Sequence, residues 1–77
     1  MKRHSIQPKD IKTLRQLAQS YGGVMSSSCR ATFIVASENR REALYENARN
    51  IGAGVSREDS LLVHGMAVKR IEICIAS

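Results

Sequence analysis

The chain has no tryptophan, one phenylalanine, two tyrosines and one proline in 77 residues. Scarce aromatics exclude a core built on large rings, so the interior falls to Ile, Leu, Val and Ala. A chain this short buries only about 60% of the surface its unfolded form exposes. The core is therefore small, and a homodimer or a docked partner is expected to extend it. The length allows one domain. No apolar run approaches the roughly 20 residues a membrane-spanning helix needs. The start MKRHSIQPKD has basic residues with no apolar stretch behind them, which does not fit a secretory leader. The two cysteines, Cys29 and Cys74, are far apart and form no C-x-x-C. The expectation is a cytoplasmic protein with reduced thiols. Structural zinc sites bring their ligands in close pairs. Cys29, Cys74, His4 and His64 are not paired in that way, so neither a metal nor a cofactor is expected.

Acidic residues are scarce in one part of the chain. Residues 1–30 hold Lys2, Arg3, Lys9, Lys12, Arg15 and Arg30 against Asp10 alone, while the remaining cations and acids balance. The whole net charge of +5 thus sits in the N-terminal segment. A localised excess of positive charge is what a contact with nucleic acid or an acidic protein surface requires. It is also what a solvated, solubilising face looks like.

Local patterns give the elements. Residues 1–7 read as a flexible basic arm ahead of a single domain over 8–77. Pro8 suits the first turn of a helix, where its missing N–H costs nothing. Asp10 in that turn favours the positive end of the helix dipole. Ile11, Leu14, Leu17, Ala18 and Tyr21 follow at spacings of three and four and make one apolar face. Gly22 and Gly23 end it, with Gly22 placed for a left-handed cap. The spacing predicts a helix over 8–21. The run Ala31 to Ala36, ATFIVA, is rich in β-branched and aromatic residues and apolar on both alternate faces, which predicts a central strand. Val24 and Met25 make a short partner strand, with Ser26 to Ser28 as the turn. A second helix is predicted over 38–51, with apolar Leu44, Ala48 and Ile51. Ser37 or Asn39 can cap it, and Asn39 matches better because Glu42 then completes a capping box. Glu46 and Arg49 are spaced to pair. Gly52 ends the helix, and AGVSREDS reads as a polar loop. Ile71, Ile73 and Ile75 alternate with Glu72, Cys74 and Ala76 and define the clearest strand. His64-Gly65 can turn a short strand at 61–63 into it. The fold class is α+β: a single small domain in the order α-β(β)-α-β(β). Its sheet, antiparallel or mixed with three or four strands, carries both helices on one face.

Few motifs carry chemistry. LRQLAQSYG resembles the first helix and turn of bacterial helix-turn-helix regulators over about ten residues. The resemblance implies a recognition helix next. That segment instead offers Val24, Ser26, Ser27, Ser28, Thr32, Ile34 and Val35, middling or poor helix formers. It also lacks the Arg, Gln or Asn run that reads base edges, and Gly23 stands where an apolar residue belongs. IGAGV follows a helix rather than a strand, so it is not a phosphate loop. Cys74, alternating with isoleucines, reads as a small hydrophobe. Glu38, Glu42 and Glu46 recur every four residues as a solvated ridge. No group of residues suits nucleophilic or acid–base catalysis, and so small a chain has little room for an enclosed substrate pocket.

The sequence therefore points to a non-enzymatic binding module. It would act stoichiometrically on nucleic acid or on a nucleic-acid-handling protein complex, with no membrane and no small-molecule substrate. Lys9, Lys12 and Arg15 recur every three residues opposite the apolar face of the first helix, and Lys2 and Arg3 precede them. These five are the expected contacts, tracking phosphates without reading sequence. One alternative is a protein–protein inhibitor or adaptor of the accessory kind that phages and mobile elements carry. It would bind through a sheet edge or a helix face. A helix-turn-helix-like regulator is the other.

Overall fold

The first helix, α1, runs Pro8–Tyr21. It buries Leu14, Leu17 and Ala18, and half-buries Ile11 and Tyr21, as the spacing predicts. Its end explains the double glycine. Gly22 has φ 68°, which only glycine adopts freely. The Gly23 N–H then donates to Ala18 O at 2.7 Å, closing a Schellman cap. Gly23 has a second role: a Cβ there would lie 2.5 Å from Cε2 of Phe33. The missing side chain lets the only phenylalanine of the chain lie against the backbone. The structure, a computed structural model, describes residues 8–75. The expected basic arm over 1–7, with Lys2 and Arg3, lies outside the described residues, as does the end of the chain after Ile75.

After the cap come β1, Val24–Ser27, and β2, Arg30–Val35. They pair antiparallel, Val24 with Thr32 and Met25 with Ala31, so no second helix follows the α1 turn. Ser26 Oγ donates to Arg30 O across the hairpin at 3.2 Å. Along β2, Ala31, Phe33 and Val35 are buried while Arg30 and Ile34 are exposed.

Helix α2, Glu38–Asn50, begins at Ser37, whose Oγ accepts from the Arg40 N–H at 3.3 Å. The expected cap at Asn39 is thus corrected. Ser37, two residues earlier, sits in extended backbone, φ −101° and ψ 134°, and its hydroxyl accepts from the free N–H of Arg40 in the first turn. Leu44 and Ala48 are buried beneath α2, and Glu38, Glu42 and Glu46 face solvent. The expected Glu46–Arg49 pair is not among the ion pairs of the described residues.

The rest is one long hairpin: β3, Ala53–Val63, and β4, Met66–Ile75, joined by His64 and Gly65 at φ 52° and 78°. Two successive positive φ values make the turn whose twist matches a hairpin. The polar loop expected over AGVSREDS is instead most of β3. As an edge strand it buries only Ala53, so its composition follows solvent rather than core. Its order comes from the backbone ladder to β4 and from Arg57–Asp59, Arg70–Asp59 and Lys69–Glu58 ion pairs at 3.0, 3.0 and 3.8 Å. Charges of this kind on an edge also discourage unwanted strand pairing.

The sheet is antiparallel throughout, in the order β1-β2-β4-β3. Both helices cover one face, over a core of Leu14, Leu17, Phe33, Leu44, Ile71 and Ile73. The register places Arg30, Thr32, Ile34, Arg70, Glu72 and Cys74 on the opposite face, which no described helix covers. Tyr45, on α2, reaches over to β3 and donates its hydroxyl to the Glu58 carboxylate. Burial and that bond push the Tyr45 pKa up to about 12. Its ordinary value is about 10. A group raised in the folded state stabilises fully below its unfolded pKa and loses that stabilisation as pH rises through the folded one. Part of the stability is thus lost between about pH 10 and about pH 12. Tyr45→Phe should flatten that part of the alkaline stability curve, measured by urea unfolding at stepped pH.

Candidate nucleic-acid interface

Helix packing decides which charges are free. With Leu14, Leu17 and Ala18 turned to the sheet, Lys12 and Arg15 are exposed on the outer side of α1, with Gln16 and Gln19. Neither Lys12 nor Arg15 forms an ion pair with a described residue. The cations of the long hairpin differ: Arg57, Lys69 and Arg70 are all held by Glu58 or Asp59. Asp59 responds in kind. The Arg70 hydrogen bond holds its carboxyl below the usual range, against burial and with help from Arg57. Of the other expected contacts, Lys9 belongs to the first turn of α1.

Arg30, the remaining cation of the basic N-terminal segment, goes elsewhere. It lies on the uncovered sheet face, where its Nε donates to Cys74 Sγ at 3.1 Å. Ser56 Oγ lies 3.4 Å from the same sulfur. Cys74 is thus half-buried and hydrogen-bonded rather than packed as a plain hydrophobe, which corrects the sequence expectation. Burial pushes its thiol up, but the Ser56 and Arg30 hydrogen bonds and the Arg30 charge outweigh that and bring it below the usual range. Cys74 should be alkylated more slowly in an Arg30→Gln variant at neutral pH, followed by mass spectrometry of the labelled chain. Cys29 faces the helix-side core, on the other side of the sheet from Cys74, and both thiols are free.

Between α1 and α2 lies an open groove of ≈ 450 Å³, lined by Gln16, Ser20, Tyr21, Arg40, Asn47 and Asn50 among others. Arg40 stacks over the Tyr21 ring, 5.2 Å from its centroid, and donates to Ser20 O at 3.3 Å. Asn47 Nδ2 donates to the Tyr21 hydroxyl at 2.7 Å and to Ala43 O at 2.8 Å. Tyr21 is therefore pinned on two sides, and Arg40 is steered to the groove. The rim presents amide and guanidinium donors beside the exposed Lys12–Arg15 side of α1. Hydrogen-bond donors next to free cations match the acceptor oxygens of phosphates and the edges of unstacked bases.

Sequence reasoning missed this groove. Arg40 belongs to α2, and Tyr21 fits the apolar face of α1. Only the packing of one helix on the other brings them together, and no spacing within either helix signals it.

Among the described residues no helix is long and apolar enough to cross a membrane. No three His, Cys, Asp or Glu side chains among them converge on a metal position. Comparisons with known protein families, curated proteins and solved structures find no match to this chain.

Proposed function

We propose that the protein is a small, non-enzymatic binding module that docks stoichiometrically on nucleic acid, or on a protein complex that handles it. The contact surface is the outer side of α1 around Lys12 and Arg15, and Lys2, Arg3 and Lys9, which precede them in the sequence, are expected to add to the contact. The observation that carries this reading is the contrast in ion pairing. The hairpin's cations are matched by acids, whereas Lys12 and Arg15 stand exposed and pair with none of the acids whose side chains the structure describes. Unmatched cations on a rigid helix are available to replace the counterions of a phosphate chain. The groove donors Arg40 and Asn50 extend the surface toward α2. Binding of this kind tracks phosphates and reads little sequence. We place its site of action in the cytoplasm, where both free thiols stay reduced.

A tagged chain drawn from its native lysate should bring nucleic acid with it, and nuclease treatment should remove that material. Capture of the same proteins with and without nuclease, and no nucleic acid, would favour the adaptor reading. That second reading has its own support in the bare sheet face and in the long outer edge of β3.

A further inference from the structure

The long hairpin outgrows the body of the molecule. Pairing of β2 with β4 stops at Val35–Lys69, but β3 and β4 continue together to Val63–Met66. Residues 61–68 thus form a two-stranded arm, and the molecule measures 47 × 21 × 18 Å. Apart from the turn residues His64 and Gly65, the arm is wholly apolar: Leu61, Leu62, Val63, Met66, Ala67 and Val68. Yet Leu62 is 77% exposed, Met66 57% and Val63 37%. An isolated two-stranded ribbon is marginal in water, and this one leaves Leu62, Val63, Met66 and Ala67 uncovered. Its outer edge, on β3, has no charge, proline or bulge from Ser60 to Val63 to block a further strand.

We propose that the occupant of this edge is a second copy of the chain, joined arm to arm by antiparallel pairing of β3 with β3. The register follows from symmetry and charge. A two-fold axis normal to an antiparallel pair makes one residue face its own copy, and directly opposed residues share a face. Centring on Glu58 or Asp59 opposes like carboxylates, and centring on Arg57 opposes two guanidinium groups next to the β3 bulge. Centring on Ser60 sets Glu58 against Leu62 and Asp59 against Leu61. Centring on Leu61 sets Asp59 against Val63. Centring on Leu62 opposes Leu62 with Leu62 and Leu61 with Val63 twice, and sets Ser60 opposite His64. Of these registers only the last leaves no carboxylate against a hydrophobic residue or its own copy, and it opposes three apolar pairs where centring on Val63 opposes one.

The same register brings the tip of each arm to the base of the other. There Ser60 borders a cleft of ≈ 350 Å³ floored by Val35, Ala67 and Val68 and rimmed by Glu38 and Arg41. His64 of the second copy arrives at its mouth. The two sheets then join into one of eight strands, with the uncharged Ser60–Val63 stretch of each β3 edge paired. This dimer is independent of what α1 binds: the failure of either proposal leaves the other standing.

Sedimentation velocity of the full chain from micromolar to millimolar concentration tests the idea. The expected mass is twice 8.5 kDa, falling to 8.5 kDa in Leu62→Lys, whose circular dichroism should match the parent's while its thermal midpoint falls and loses its dependence on protein concentration. A Leu62→Cys variant with Cys29→Ala and Cys74→Ser should cross-link to itself on mild oxidation, and a Ser60→Cys variant in the same background should not. A chain that stays at 8.5 kDa throughout would overturn the proposal, as would a dimer that survives Leu62→Lys. Cross-linking of Ser60→Cys in preference to Leu62→Cys would overturn the register.

Discussion

Phe33→Ala should remove a large share of the protein's folding stability, seen as a marked fall in its urea midpoint. Removing a buried phenylalanine side chain costs about 3–5 kcal/mol. At 0.05–0.15 kcal/mol per residue, a domain of this length has roughly 4–12 kcal/mol in all. Phe33 is fully buried and sits at the centre of the core, opposite Ile71 on β4, with Gly23 under its ring. The same contact makes a prediction from the other side. Gly23→Ala places a methyl group 2.5 Å from the ring, and overpacking of this kind costs about 1–3 kcal/mol. Urea midpoints of Gly23→Ala, of Phe33→Leu and of Gly23→Ala/Phe33→Leu close a cycle with the parent. The double variant should be less destabilised than the sum of its parts, because the smaller side chain makes room for the methyl group.

The second large effect is on binding. Lys12→Glu/Arg15→Glu removes two phosphate contacts and adds two repulsions. At a salt slope near 0.9 per contact, this weakens nucleic-acid affinity roughly 100- to 1,000-fold at physiological salt. Both side chains are exposed, so stability should stay within about 0.5 kcal/mol of the parent. Fluorescence anisotropy of a labelled oligonucleotide, alongside a thermal melt, separates lost binding from lost fold. Normal binding by this double variant would remove α1 from the interface.

Different parts of the molecule were legible in the sequence for different physical reasons. Helix α1 announced both its ends, because Pro8 and Gly22 act locally and its apolar face repeats cleanly. The hairpin after it was legible because two glycines followed by β-branched residues disfavour a second helix. The double glycine turned out to combine two requirements, a left-handed cap at Gly22 and a close approach of Phe33 at Gly23, and only the first is local. Strand β3 was hidden. Its residues from Gly54 to Ser60 bury almost nothing, so no alternation marks them, and their order depends on β4 far along the chain. The cap of α2 went to Ser37 because the preceding strand delivers the chain there, which a capping-box pattern does not register. The basic side of α1 was visible as composition. The groove beside it was not, since Tyr21, Arg40 and Asn47 meet only through helix packing.

The central claim is that α1 binds a phosphate chain through its free cations, and the salt dependence of binding tests it most directly. For the parent protein the logarithm of affinity should fall linearly with the logarithm of salt concentration. The slope reports the number of contacts, at about 0.9 for each phosphate on duplex DNA and about 0.7 on single strands. Lys12→Glu/Arg15→Glu should lose about two contacts from that slope. Affinity that stays flat in salt, or a slope unchanged in the double variant, would contradict the claim.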